Sequence, residues 1–249
     1  MKTLLLLVMS FATYADDFKA TEDKLIAALE SSVRTDKETQ RDKNRRPVST
    51  LKFLGLRDNM KVVELIPGGG WYTKILAPTL KANGDFSVAY GTSRIEKSLL
   101  KDNKDFEHVK LLAKNSKLYR KDGAKFYSLD NANLDTKKAD MVLTFRNYHN
   151  FGFEGRKDMN DAAYKALKVG GIYGVVDHTR RHMQGENNEN RRRFDPVLAI
   201  KEIQDAGFRL ADYSDIHYRA DDELRYEVGR KSVTGNTDRF TLKFVKVKK

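Results

Sequence analysis

No cysteine occurs among the 249 residues. That absence excludes disulfide scaffolds, zinc fingers, thiol nucleophiles and lipid attachment through cysteine, so any chemistry must use other side chains. Long apolar runs are missing too: Leu4 to Phe11 is about half of what spans a bilayer, so no stable membrane insertion is expected. The phosphate loop G-x-x-x-x-G-K-[ST] is lacking, which argues against an ATPase or GTPase of that class. A dinucleotide fingerprint fails as well, because Thr73 stands where its third glycine belongs and no acid lies near Tyr90. The formal charge is +12, yet no nucleic-acid-binding motif accompanies it, and no nucleic-acid partner is expected.

What is present suits a globular chain, with 40% hydrophobic and 10% aromatic residues. The first residues have the plan of a secretory leader: Lys2, the apolar run, then the small residues Ala12, Thr13 and Ala15 before Asp16-Asp17. Cleavage is expected after Ala15, with the mature chain in the periplasm or the medium of a bacterium. Three parts follow: a signal peptide over 1–15, an N-terminal helical extension over 16–58 and one domain over 59–249.

Leu25, Ile26, Leu29 and Val33 predict an amphipathic helix from about Thr21 to Arg34, and the polar run from Arg34 to Arg46 reads as a solvated lead-in. Lys61 to Ile66, Phe86 to Tyr90, Lys125 to Leu129, Ala139 to Phe145 and Ile172 to Val176 read as strands. A charged helical region fills Arg94 to Lys117, and another helix runs through Met159 to stop at Gly170-Gly171. Asp195-Pro196 supplies an N-cap followed by a first-turn proline. Two strands, Phe208 to Ile216 and Arg239 to Val247, close the chain. Alternating strands and helices with this ending predict an α/β fold: a Rossmann-like, seven-stranded, mostly parallel sheet with an antiparallel strand near the C-terminus.

Pro67-Gly68-Gly69-Gly70 forms a strand-to-helix turn, where glycine lets a ligand approach the backbone and helix amides face it. The run Val62 to Gly70, with Glu64 in the strand, resembles the first motif of the class I S-adenosylmethionine-dependent methyltransferases. Ala166 to Asp177 resembles their later helix and fifth strand. More closely, Arg46-Pro47, Pro67 to Pro78, Phe145 to Asn150, Val176 to His178 and Asp238 to Phe244 are similar to an exported bacterial methyltransferase-like group, over roughly residues 41 to 246. The resemblance implies S-adenosylmethionine as cofactor, held by Glu64, Pro67, Gly68, Gly69, Gly70 and Trp71, with Asp130 near the adenine. Two positions depart from it: Ile66 replaces a glycine of the first motif, and the second strand ends without the acid that grips the cofactor ribose.

Ligands of open α/β sheets bind beyond the C-terminal strand ends. Arg146, Asn147, His149 and Asn150 follow the fourth strand, and Asp177 with His178 follows the fifth. These are the candidate catalytic residues, with His149 or His178 as base and Asp177 orienting an imidazole. Structural hydrogen-bonding roles for the same residues stay open, as does a metal site of His149, Asp177 and His178. The implied reaction is methyl transfer to a small molecule or an envelope component; the alternative is an exported, non-catalytic binding protein.

Overall fold

The computed structural model describes residues 9–249, with side chains from Phe18 onward. Residues 1–8 of the predicted leader therefore lie outside the described residues, and the rest of it, from Met9, opens the first helix. Helix α1 (Met9–Leu29) is followed by the short helices α2 (Asp36–Thr39) and α3 (Asp42–Arg45), and by α4 (Pro47–Leu54). Arg34 lies beyond the end of α1, in a turn, so the first helix begins and ends earlier than its apolar spacing predicts. Among the described residues no helix is long and apolar enough to cross a membrane.

Val62, Val63 and Leu65 are fully buried, the mark of a strand covered on both faces. They belong to β1 (Lys61–Leu65), which leads through the glycine turn into α5 (Thr73–Leu80). Pro78 lies inside α5, and the helix ends two residues later. Next come β2 (Asp85–Ala89), the turn α6 (Ser93–Ile95), a π-helical turn at Glu96–Leu100 and β3 (Lys110–Leu112). A two-stranded hairpin, β4 (Lys117–Tyr119) with β5 (Ser128–Asp130), precedes β6 (Ala139–Phe145). A 3-10 turn at Tyr148–Asn150, α7 (Phe153–Ala166), β7 (Leu167–His178), α8 (Pro196–Asp205), β8 (Phe208–Ser214) and β9 (Arg239–Lys246) complete the chain.

Seven strands form one sheet in the order β3-β2-β1-β6-β7-β9-β8, and β9 runs antiparallel to both neighbours. The predicted fold class is therefore observed, with one correction to its membership. Lys125 to Leu129 supplies no strand to this sheet; the outer strand is Lys110–Leu112, inside the run expected to be helical. A three-residue edge strand, half charged in its surroundings, carries too little alternation to be read. The second correction is at Gly170-Gly171, which lie within β7 at a shift of register and not at a helix end.

The sheet has two apolar faces. Phe18, Leu25 and Ala28 of α1 join Leu51 and Leu54 of α4 and Ile75 and Leu76 of α5 on one; α7 and α8 cover the other with Met159, Ala163, Ala199 and Ile203. The N-terminal segment is thus part of the core. Asp195 caps α8 by accepting from the amides of Val197 and Leu198, as its sequence predicts.

Candidate active site

The glycine turn sits where β1 ends. Gly68 and Gly70 take φ of +60° and +79°, which only glycine adopts freely. A Cβ on Gly70 would lie 2.9 Å from Leu99, whereas one on Gly68 would meet nothing and one on Gly69 only the Arg94 guanidinium at 3.7 Å. Gly70 therefore serves the packing, and Gly68 and Gly69 leave the open face. Ile66, in the place of a motif glycine, keeps the left-handed backbone with φ +53°. Its amide donates to Ala89 (2.8 Å) and its carbonyl accepts from Asn147 Nδ2 (3.2 Å). The substituted residue is held in the glycine conformation by its neighbours.

A cavity of about 380 Å³ opens over this turn, lined by Glu64, Pro67, Gly68, Gly69, Trp71, Tyr72, Arg146 and Asn147 among others. Seven predicted site residues thus meet there. Glu64 is 3% exposed; Thr73 Oγ1 donates to its Oε2 (2.7 Å), while Oε1 has no hydrogen bond among the described residues. Burial pushes the Glu64 carboxyl up to about 7, against the pull of Thr73 and the Arg45 guanidinium. Tyr72 stacks on Phe145 with ring centroids 3.5 Å apart.

Arg45 was not legible as a site residue. It lies 4.2 Å from the Trp71 ring centroid, with Arg34 also over that ring, and both arginines are buried. The segment between them is mostly exposed, as its polarity suggests, but it contributes Glu38 and Arg41 to the cavity wall. Trp71 Nε1 donates to the Glu38 carbonyl, and Lys74 pairs with the Glu38 carboxylate, which fastens α2 to the glycine turn. His217 reaches back from beyond β8 to the Arg45 carbonyl (2.9 Å), fixing α3 against β9.

Behind this cavity lies a second, of about 270 Å³, which shares Arg41, Arg45 and Arg146 with it and adds His178, Thr237 and Arg239. His178 Nε2 accepts from Arg146 Nε (3.0 Å), so Nδ1 carries the proton and donates to Thr237 Oγ1 (2.9 Å). Burial among arginines holds its pKa well below the usual histidine range. With both ring nitrogens engaged, His178 is a support for Arg146 and not the expected base.

Asp177 is fully buried between the two imidazoles. Its Oδ1 accepts from His149 Nδ1 (2.6 Å) and from the His178 amide (2.7 Å), and its Oδ2 from the His149 amide (2.9 Å). Asp177 is thus hydrogen-bonded to an imidazole, that of His149. His149, however, lines a different cavity with Asn150, Lys125, Arg191 and Arg192, which shares no lining residue with the glycine cavity. The 3-10 turn that carries it is set by Tyr148, whose hydroxyl donates to Glu202 and accepts from Asn160, both at 2.9 Å.

Asp130 is also placed elsewhere. It is exposed at the end of β5 and lines a separate cavity with Phe126 and Tyr127, because its strand belongs to the hairpin. The metal reading fails on the same hydrogen bonds that occupy Asp177 and His178, and among the described residues no group of three acidic or imidazole side chains could hold a metal. In the polar insert after β7, Arg193 is buried and pairs with both Asp222 oxygens at 2.9 Å, so that part of the insert is structural.

With this geometry the chain is similar to many solved structures. A SAM-dependent methyltransferase from Aquifex aeolicus superposes with a TM-score of 0.55 at 14% identity, covering 83% of this chain and 93% of that one. This is the fold of S-adenosylmethionine-dependent methyltransferases. The glycopeptide N-methyltransferase MtfA follows with a TM-score of 0.52 at 14% identity, over 82% of this chain and 90% of its own. The same methyltransferase fold also carries a [4+2]-cyclase, SpnF, with a TM-score of 0.53 at 12% identity, covering 82% and 80%. No family model matches the chain, and no curated protein is significantly similar in sequence.

Proposed function

We propose that the protein transfers a methyl group from S-adenosylmethionine to an acceptor in the bacterial envelope. The observation that carries the reading is the glycine cavity at the ends of β1 and β6, with a free carboxylate oxygen of Glu64 beside an open glycine face. When bound, the cofactor supplies an activated methyl on a sulfonium. Glu64 suits its α-ammonium, and the Arg94 guanidinium beside Gly69 suits its carboxylate. The amino-acid end of the cofactor thus fits the residues present. Trp71 and Tyr72 exclude water from one wall. Asn147 holds the turn through Ile66, so the chain contributes chiefly orientation.

Export rests on the leader pattern of residues 1–15. This reading also places the chain with the exported methyltransferase-like group.

A second reading, ligand binding without transfer, has one observation in its favour. After β2 the chain continues Tyr90-Gly91 with no acid, and Leu118 of the hairpin packs onto Gly91, 2.9 Å from where a Cβ would stand. That covers the strand end where the resemblance calls for a ribose-gripping acid. Calorimetric titration of the protein with S-adenosylmethionine and S-adenosylhomocysteine tests both readings. Binding of both, followed by appearance of labelled methyl on envelope material, supports transfer; binding of neither to the folded protein removes it.

A further inference from the structure

Arg45, Arg146 and Arg239 wall one cavity of about 270 Å³, and among the described residues none of them pairs with a carboxylate. Their few hydrogen bonds go elsewhere. Arg45 makes none with its side chain and rests on Trp71. Arg146 uses only Nε, on His178. Arg239 donates from one terminal nitrogen to the Asn44 carbonyl (3.0 Å), and its buried Nε has no hydrogen-bond partner among the described residues. Arg45 and Arg239 are each only 8% exposed.

Buried charges are ordinarily paired, because an uncompensated one is costly. The nearest acids pair directly with none of them, and Asp177 offsets Arg146 and Arg239 only in part, through space. Both oxygens of Asp177 are taken by His149 and by backbone amides. Glu64 is raised to about 7 and is therefore only partly ionised at neutral pH. Burial first, and repulsion from neighbouring arginines second, depress all three guanidinium pKa values, Arg45 to about 9 and Arg239 to about 10. Such a cluster is completed by an anion from outside. A guanidinium is a planar set of donors that suits phosphate oxygens, and the Thr237 hydroxyl and Asn44 on the same wall add neutral polar groups.

We propose that this cavity binds a doubly charged oxyanion, a phosphate group in its simplest form, and that this group is the handle by which the methyl acceptor is held. The anion site stands on the arginines alone; its role for the acceptor rests on the methyl-transfer reading above. The two cavities share Arg41, Arg45 and Arg146, so an acceptor anchored behind lies next to the glycine turn.

Inorganic phosphate and a phosphate monoester, glycerol 3-phosphate, are titrated into the full chain by calorimetry and by thermal shift, against chloride at matched ionic strength. Phosphate should bind and raise the melting temperature where chloride does not, and Arg45→Met and Arg239→Met should each weaken it by about tenfold or more, as losing a charge-assisted pair does. Tighter binding of the monoester identifies a phosphorylated acceptor; equal binding identifies a site for the free ion and overturns the handle role. Arg239→Lys, which keeps the charge, should retain more affinity than Arg239→Met and guards against a variant that fails to fold. No phosphate effect in the wild type, or one that survives both methionine variants, overturns the site. S-adenosylhomocysteine is titrated separately: its failure to bind would sink the methyl-transfer reading while phosphate binding still reports on the arginines.

Discussion

The side-chain amide of Asn147, at the end of β6, donates to the carbonyl of Ile66 at the end of β1 (3.2 Å), and Ile66 holds a left-handed φ of +53°. A β-branched residue in that region is strained by roughly 1–2 kcal/mol, so the conformation persists because its neighbours fasten it. The glycine turn hangs from this point.

Asn147→Ala is therefore expected to lower stability by about 1 kcal/mol and to weaken S-adenosylhomocysteine binding, because the turn is freed. Urea unfolding and calorimetry measure the two effects. An unchanged affinity in the folded variant would show that the turn does not depend on this hydrogen bond.

Glu64 gives a pH signature. Its folded pKa, near 7, is above its ordinary value, so its contribution to stability is complete below about 4.5 and is lost as pH rises through 7. At pH 8 the ionised carboxylate costs the unliganded protein roughly 3 kcal/mol, which Glu64→Gln removes. The variant should be more stable than the wild type at pH 8 and equal to it near pH 4.5, while binding the cofactor more weakly at pH 8. Taking the difference between the two proteins cancels His217, whose pKa is depressed to about 4 by burial and which destabilises the fold as pH falls from 6.5 through 4.

The glycines should separate by role. Gly69→Val has room in the unliganded protein, meeting only the mobile end of Arg94, and should fold yet lose cofactor binding. Gly70→Val forces a φ of +79° on a β-branched residue and drives Cβ into Leu99, so it should lower the melting temperature by several degrees. Circular dichroism melts of the two variants decide this, and equal stability would contradict it.

For the histidines the geometry predicts small effects on the reaction itself. His149 opens on a cavity that shares no residue with the glycine cavity, so His149→Ala should lower turnover less than tenfold. A loss of about 10² to 10⁴ would restore it as a general base. His178→Ala should act through Arg146, raising KM for the acceptor more than it lowers kcat.

Local pattern settled much of this molecule. The buried strand Val62–Leu65, the glycine turn, the Asp195 cap and the late antiparallel strand each depend on neighbours in sequence, where periodicity and turn chemistry act. The cavity set of Glu64, Gly68, Gly69, Trp71, Arg146 and Asn147 was legible for the same reason: each lies at the end of a readable strand. The third sheet strand was not legible, since Lys110–Leu112 has only three residues and its pairing with β2 is a matter of which edge is free.

Tertiary structure alone decided the fate of the charges. Nothing local distinguishes Arg45 or Arg239, which are buried and unpaired, from Arg193, which is buried and paired with Asp222 across the fold. Nor does sequence show that Arg146 and Thr237 together engage both nitrogens of His178, or that His149 faces away. Solvation and ionisation depend on what lies within a few ångströms in space, whereas a sequence records only what lies beside each residue along the chain.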